Sequence, residues 1–325
     1  MMASFPNTKV IDLQAKEDIK KKVDRSENPI LSSLHQHVKE ITKKVNTVLE
    51  NQIVTFPELP KWLRFNHYIH RGYRVRYTIK KTWKSLFSLH NETLNIWTHF
   101  IGAAIFIYFF VRIFTLETLM KATITAKLMI AIYTLGGLIC FLSSAFYHLW
   151  EQHSEKFQQF FLKIDLTGVT VMIITSCLPT LYFTVRPSFT LYYTSVIILL
   201  LLGSLFLVSV WVNISSLNNM IYIRTILFVL LSLSPLLPIF LSLNLITRTL
   251  FFHTLIRIFE LYGCYGIGLF FYLTKFPECL SKTNRFDFIL NSHQIWHVWI
   301  IIAAIVHFVN CKYLCQEYFL IINNQ

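Results

Sequence analysis

From about residue 94 onward the sequence alternates long apolar runs with short polar breaks. Seven runs, near 94–114, 127–147, 161–183, 189–212, 221–243, 251–273 and 294–316, each approach the roughly 20 residues a helix needs to cross a hydrocarbon core. The pattern predicts an all-α membrane protein, a bundle of seven transmembrane helices. Lys163 and Asp165 interrupt the start of the third run, and Ser234-Pro235 with Pro238 predicts a bend in the fifth. Nine residues follow the seventh run, so 317–325 is expected to be a short tail without an eighth span.

The stretch before the first run reads differently. Residues 1–28 are polar and expected to be a disordered tail without the apolar core of a cleavable signal. Leu31, Leu34, Val38, Ile41, Val45 and Val48 follow a 3-4-3-4-3 spacing, which predicts an amphipathic helix over 29–54 that docks on the membrane domain or lipid, or takes a partner helix at 31–48. Residues 55–93 form a basic, aromatic juxtamembrane segment: Lys61 to Lys84 holds eight Lys and Arg with no acid, interleaved with Trp62, Phe65, Tyr68, Tyr73, Tyr77 and Trp83. Such a segment suits an anionic headgroup surface.

Composition agrees with a lipid solvent. Hydrophobic residues make up 54% of the 325 and charged ones 14%, against roughly 45–50% and about 25% in soluble domains. The net charge of +13 is concentrated at the start, where residues 1–93 carry 17 of the 30 Lys and Arg. No groove-reading motif or stacking repeat accompanies it, so no nucleic-acid partner is expected. The six cysteines lack C-x-x-C spacing, which indicates neither a disulfide framework nor a thiolate zinc site. Positive-inside counting places the amino terminus in the cytosol and the carboxyl terminus outside it. The sequons at Asn91 and Asn213 then face the cytosol and should stay unglycosylated.

Ionisable side chains inside a bilayer are costly and usually have a task or a partner. Under the seven-span count, odd helices start and even helices end on the amino-terminal side, and the polar groups cluster in that layer. Glu92, Asn95 and His99 open the first helix, Ser144 and His148 close the second, and Asp165 opens the third; Arg224 opens the fifth, Tyr272 closes the sixth, and His293 and His297 open the seventh. The His293-x-x-x-His297 step puts two imidazoles on one helical face, and His148 supplies a third ligand. Three imidazoles with an open position describe a catalytic centre for which zinc leads over copper, nickel or iron, with Asp165 expected to hold the water. His99 is expected to be a packed histidine bonded to Glu92 or Asn95, and Arg257 and Glu260 a mutually neutralising pair.

Ser88 to His99 (SLHNETLNIWTH), Ser143 to His148 (SSAFYH), His153 to Lys156 running on to Asp165-Leu166-Thr167-Gly168, and Ser292 to Val298 (SHQIWHV) closely resemble the progestin and adipoQ receptor family, nearest its adiponectin-receptor branch. The resemblance runs from about Tyr68 to Phe308. It implies seven helices with a cytosolic amino terminus, a zinc near the cytosolic side, and kinship with hemolysin III proteins and alkaline ceramidases. It also implies ligands at His148, His293 and His297, water held by Asp165, Ser144 beside it, and Arg224 and Tyr272 flanking a lipid-amide cavity.

The combined expectation is a multi-pass protein of the plasma membrane or an endomembrane that hydrolyses a lipid amide with metal-activated water. The alternative is a signalling or lipid/zinc-homeostasis receptor whose zinc staples helices with little or no catalysis. A metal or proton transporter fits less well, because no acidic relay reaches the other end of the bundle.

Overall fold

The computed structural model describes residues 33, 36–39, 52–116, 119, 122–212, 220–281 and 283–323. Among these are seven helical segments long and apolar enough to cross a membrane. The chain forms strands β1 (Gln52–Thr55) and β2 (Arg71–Val75), then helices α1 (Ile79–Ser85), α2 (Thr93–Thr115), α3 (Ile124–Trp150), α4 (Glu155–Thr184) and α5 (Phe189–Trp211). α6 (Met220–Leu233), α7 (Leu236–Leu241), α8 (Arg248–Thr274) and α9 (Ser292–Asn323) complete it.

Hydroxyl caps set several of the helix starts. Thr123, Ser154, Ser188 and Thr247 each accept from the backbone N–H three residues on, satisfying a donor the helix leaves free. The Ser154 cap, with Glu155 in the first turn where the helix dipole favours an acid, explains why α4 begins six residues before its apolar run. The bend expected in the fifth span is a break. Pro235 separates α6 from α7, since proline offers no backbone N–H and its ring clashes with the preceding turn.

The main buried apolar cluster joins α2, α3, α4 and α9. Phe106, Tyr133 and Phe141 are fully buried there, with ring centroids 5.6 Å apart for Phe106–Tyr133 and 5.2 Å for Phe106–Phe141. Gly168 permits the close approach of α4 to α3: a Cβ on it would stand 2.0 Å from Ser143 Oγ and 3.1 Å from the Cys140 Cα. α8 packs chiefly on α9 and reaches α6 through a bond from the Tyr262 hydroxyl to the Ser232 carbonyl. Large apolar side chains such as Leu201, Leu205, Phe252 and Phe259 point outward, a surface that suits lipid and not water.

Three expectations need correction. The juxtamembrane segment, for which no strand was expected, carries structure of its own. β1 and β2 pair antiparallel, and Val54, Leu59, Leu63, Ile69, Tyr73 and Val75 build a small core of their own. The register shifts between Val54 and Thr55, opposite Gly72, whose φ of +89° and 2.6 Å clearance to Phe288 exclude a side chain. Second, of the helix expected over 29–54, residues 33 and 36–39 are helical and exposed, 52–54 belong to β1, and the rest, with the 1–28 tail, lies outside the described residues. Third, α9 continues to Asn323 where a tail was expected, because Tyr318 and Phe319 pack against the core and Tyr318 accepts from Arg186 at 3.1 Å.

Candidate metal centre

Four elements meet at the end of the bundle nearest the β hairpin: the head of α2, the foot of α3, the head of α9 and the hairpin itself. His148 lies in the last turn of α3, and His293 and His297 occupy the first two turns of α9. His148 Nε2 stands 3.3 Å from His293 Nε2, which stands 3.2 Å from His297 Nε2. Each of the three offers a ligand nitrogen within 4.8 Å of the other two. Nitrogens bound tetrahedrally at about 2.0–2.1 Å lie about 3.3–3.4 Å apart, so the cage has the dimensions and the donor set of a transition-metal site.

The protonation pattern supports the same reading. His148 Nδ1 is 2.8 Å from Glu92 Oε2, so its ring proton is donated to the carboxylate and the Nε2 lone pair is left facing the other histidines. Glu92 is itself held by Asn91 Nδ2 at 3.0 Å and by Asn95 Nδ2. His297 sets Nδ1 3.5 Å from the Thr98 hydroxyl. Glu92, His148 and Glu151 form a second cluster, but there the imidazole nitrogen is already committed to a hydrogen bond. Burial, then the nearby Glu92 charge, push the Glu151 carboxyl up, which keeps the proton on Glu151 and the charge on Glu92.

The hairpin locks α3 from outside the bundle. Arg74, 2% exposed, reaches the end of that helix and donates to the His148 carbonyl at 2.7 Å and the Ser85 hydroxyl at 2.7 Å. Burial lowers its guanidinium to about 10, which leaves it charged at neutral pH against the negative end of the helix dipole. His90 forms the elbow into α2, facing the Ser85 carbonyl with Nε2 and accepting from the Glu92 N–H with Nδ1. Burial first, then Arg74, depress it to about 3, so it remains neutral. The other histidine-bearing helix, α9, is anchored by Glu278, fully buried, which accepts from the Ser292 N–H at 2.7 Å, the Ser292 hydroxyl, and Asn66 Nδ2 at 3.1 Å.

The remaining expected residues divide. Asp165 has Ser144 as a side-chain neighbour and lies within electrostatic range of His148. Tyr272 sits beside the cage, its ring centroid 5.7 Å from that of His293. Arg224 does not join them: its Nε donates to the Ser209 carbonyl on α5 at 2.8 Å, and it makes no hydrogen bond or ion pair with the histidines or Asp165. His99 is not bonded to Glu92 or Asn95. It stacks on His297 with centroids 3.8 Å apart, and neither of its nitrogens has a hydrogen-bond partner among the described residues. Arg74, His90, Glu151 and the hold of Glu92 on His148 were not anticipated. For the last, the shared layer of Glu92 and His148 at one end of the bundle is the sequence signal.

Residues 87–308 match the family described as Haemolysin-III related. Heptahelical transmembrane protein 3 of Arabidopsis thaliana is 30% identical over 316 residues, covering 81% of this chain and 87% of the relative. The adiponectin receptor protein of Drosophila melanogaster is 28% identical, covering 93% and 69%. Progestin and adipoQ receptor-like protein 1 of Caenorhabditis elegans is 30% identical, covering 79% and 59%. With the seven-helix bundle and its histidine cage, these matches establish that the chain belongs to the Haemolysin-III related family of membrane proteins and is adiponectin-receptor-like.

Proposed function

We propose that the protein is a zinc-dependent lipid amide hydrolase of ceramidase type, with its amino terminus and its site on the cytosolic side. The observation that carries this reading is the convergence of three imidazole nitrogens near a carboxylate that neighbours a serine, inside a bundle whose outer surface is apolar. Zinc is favoured over other metals because three neutral nitrogens with an open position are its common catalytic set. Bound there, it supplies a Lewis acid and lowers the pKa of water toward neutrality.

The side chains account for the rest of the chemistry. Ser144 steadies the Asp165 carboxylate, which takes the proton of the attacking water. Tyr272, beside His293, supplies the hydroxyl that donates to the substrate carbonyl oxygen as negative charge builds on it. The proton held on Asp165 then passes to the departing amine as the C–N bond breaks. Arg224, turned toward α5, is left out of this set. An acyl tail finds room along α8, where nothing lies within 4 Å of a Cβ placed on Gly263 or Gly266.

Two of the relatives are named as receptors, which favours a second reading in which the metal staples α3 and α9 and hydrolysis is incidental. Ceramide hydrolysis by the purified protein in lipid nanodiscs separates the two. The hydrolase reading expects fatty acid release that Asp165→Asn lowers by about 10²-fold or more with metal content unchanged. Equal release by wild type and variant, or none from either, overturns it.

A further inference from the structure

The end of the bundle opposite the metal centre holds a cavity of about 510 Å³, within the roughly 300–1,000 Å³ of small-molecule sites. It lies between the α4–α5 turn, the segment leading into α8 and the last turns of α9. Its walls are largely apolar. Phe183 and Leu250 are buried behind it, whereas Phe189 and Leu245 remain 61% and 38% exposed.

Arg186 brings a positive charge into this apolar wall. It follows the end of α4, and its guanidinium is held between rings, 4.9 Å from the Tyr182 centroid and 5.8 Å from that of Phe189. Nη1 donates to the Tyr318 hydroxyl at 3.1 Å, which leaves the edge formed by Nε and Nη2 without an acceptor among the described residues. No carboxylate among them pairs with it. Glu317, next to Tyr318 in sequence, neighbours Tyr313 instead. A free Nε–Nη2 edge is the fork that receives two oxygens of a phosphate or carboxylate in parallel.

We propose that this cavity binds a membrane phospholipid, with its phosphate on Arg186 and an acyl chain along Phe189 and Leu245. The depth fits. Tyr182 contacts Tyr192 and Tyr318, and Tyr192 contacts Tyr193, an aromatic cluster of the kind that marks the headgroup level. Asn244 and Thr247 line the cavity from the segment leading into α8. The Thr247 oxygen accepts from the Leu250 N–H, and its hydroxyl proton is left to donate. A free anion would satisfy the guanidinium and leave Phe189 and Leu245 uncovered. A fatty carboxylate would use both oxygens on the fork, whereas a phosphodiester with its glycerol also offers oxygens to Asn244 and Thr247. The site lies apart from the histidine cage and stands whether or not that cage hydrolyses a lipid amide.

Full-length wild type, delipidated in detergent, is titrated with dioleoylphosphatidylglycerol, and the first lipid adduct is followed by native mass spectrometry. Arg186→Gln is expected to weaken that adduct by about tenfold or more, and Arg186→Lys, which keeps the charge without the fork, to fall between the two. Leu245→Trp fills the cavity with Arg186 intact and is expected to weaken the adduct as well. Lys80→Gln combined with Lys84→Gln, which removes two exposed cations at the metal-centre end, is expected to leave it unchanged. Dioleoylglycerol, oleate and inorganic phosphate, which supply the chains, a carboxylate with a chain and the phosphate alone, are each expected to bind about tenfold more weakly or less. Wild-type affinity in Arg186→Gln or Leu245→Trp, loss of the first adduct in the lysine variant, or binding of any of the three controls as tight as that of the phospholipid overturns the proposal.

Discussion

Glu92 and His148 lie 56 residues apart in sequence and 2.8 Å apart in space, the carboxylate at the head of α2 receiving the imidazole proton from the foot of α3. That bond fixes which nitrogen of His148 faces the cage and makes it a better donor. Carboxylates that orient ligand histidines typically contribute 10–100-fold to metal affinity. Glu92→Ala is expected to weaken metal binding by about that factor, read by competition with a chromophoric chelator. Affinity equal to wild type would remove Glu92 from the centre.

Arg74 connects the hairpin to the same histidine. Arg74→Ala strips the His148 and Leu149 carbonyls and the Ser85 hydroxyl of a charged donor in a buried site. A loss of about 3 kcal/mol of stability is expected, seen as a lowered melting temperature in detergent. Arg74→Lys should recover only part of it, because one ammonium cannot fork between the two elements. Full recovery would show that charge alone matters there.

His90 gives a pH signature with a definite sign. Its pKa is about 3 in the folded protein against 6.5 ordinarily, so the unfolded chain binds the extra proton as the pH falls through 6.5. Its stabilising share is therefore complete above that pH and declines below it, by up to about 1.4 kcal/mol per pH unit. Wild type should melt higher than His90→Asn near pH 7, with the gap narrowing toward about pH 5. A gap that widens on acidification contradicts this.

Gly168 controls the approach of α4 to α3 one turn beyond Asp165. Gly168→Ala forces a Cβ against Ser143 and the Cys140 backbone, at an expected cost of about 1–3 kcal/mol. Because the strain falls beside the Ser144–Asp165 contact, the proposed hydrolysis should drop while metal content stays near wild type. Unchanged melting and turnover together would show that the helices part freely.

The sequence made depth legible and azimuth illegible. Run lengths and the parity of helix starts placed His148, Asp165, Arg224, Tyr272, His293 and His297 in one layer. The 3.6-residue repeat paired His293 with His297 because both ride on one helix. Which way a side chain points around its own axis depends on neighbouring helices, and there the reading divided: Tyr272 lies beside the cage, whereas Arg224 turns to α5. Chain proximity pairs His99 with Glu92 or Asn95, whereas the partner of Glu92 in space is His148. The hairpin escaped notice because its strands have four and five residues and are interrupted at Gly72, too short for an alternating pattern to stand out among basic residues.

Metal analysis combined with turnover tests the central claim most directly. Full-length wild type, His148→Ala and His293→Ala are purified without chelator, and each is assayed for bound zinc by mass spectrometry and for fatty acid release from ceramide. The account predicts near-stoichiometric zinc and measurable release in wild type, with both lost in each variant while the helix content by circular dichroism is kept. Zinc retained by both variants, or metal-free wild type that hydrolyses ceramide as fast as the loaded protein, contradicts it.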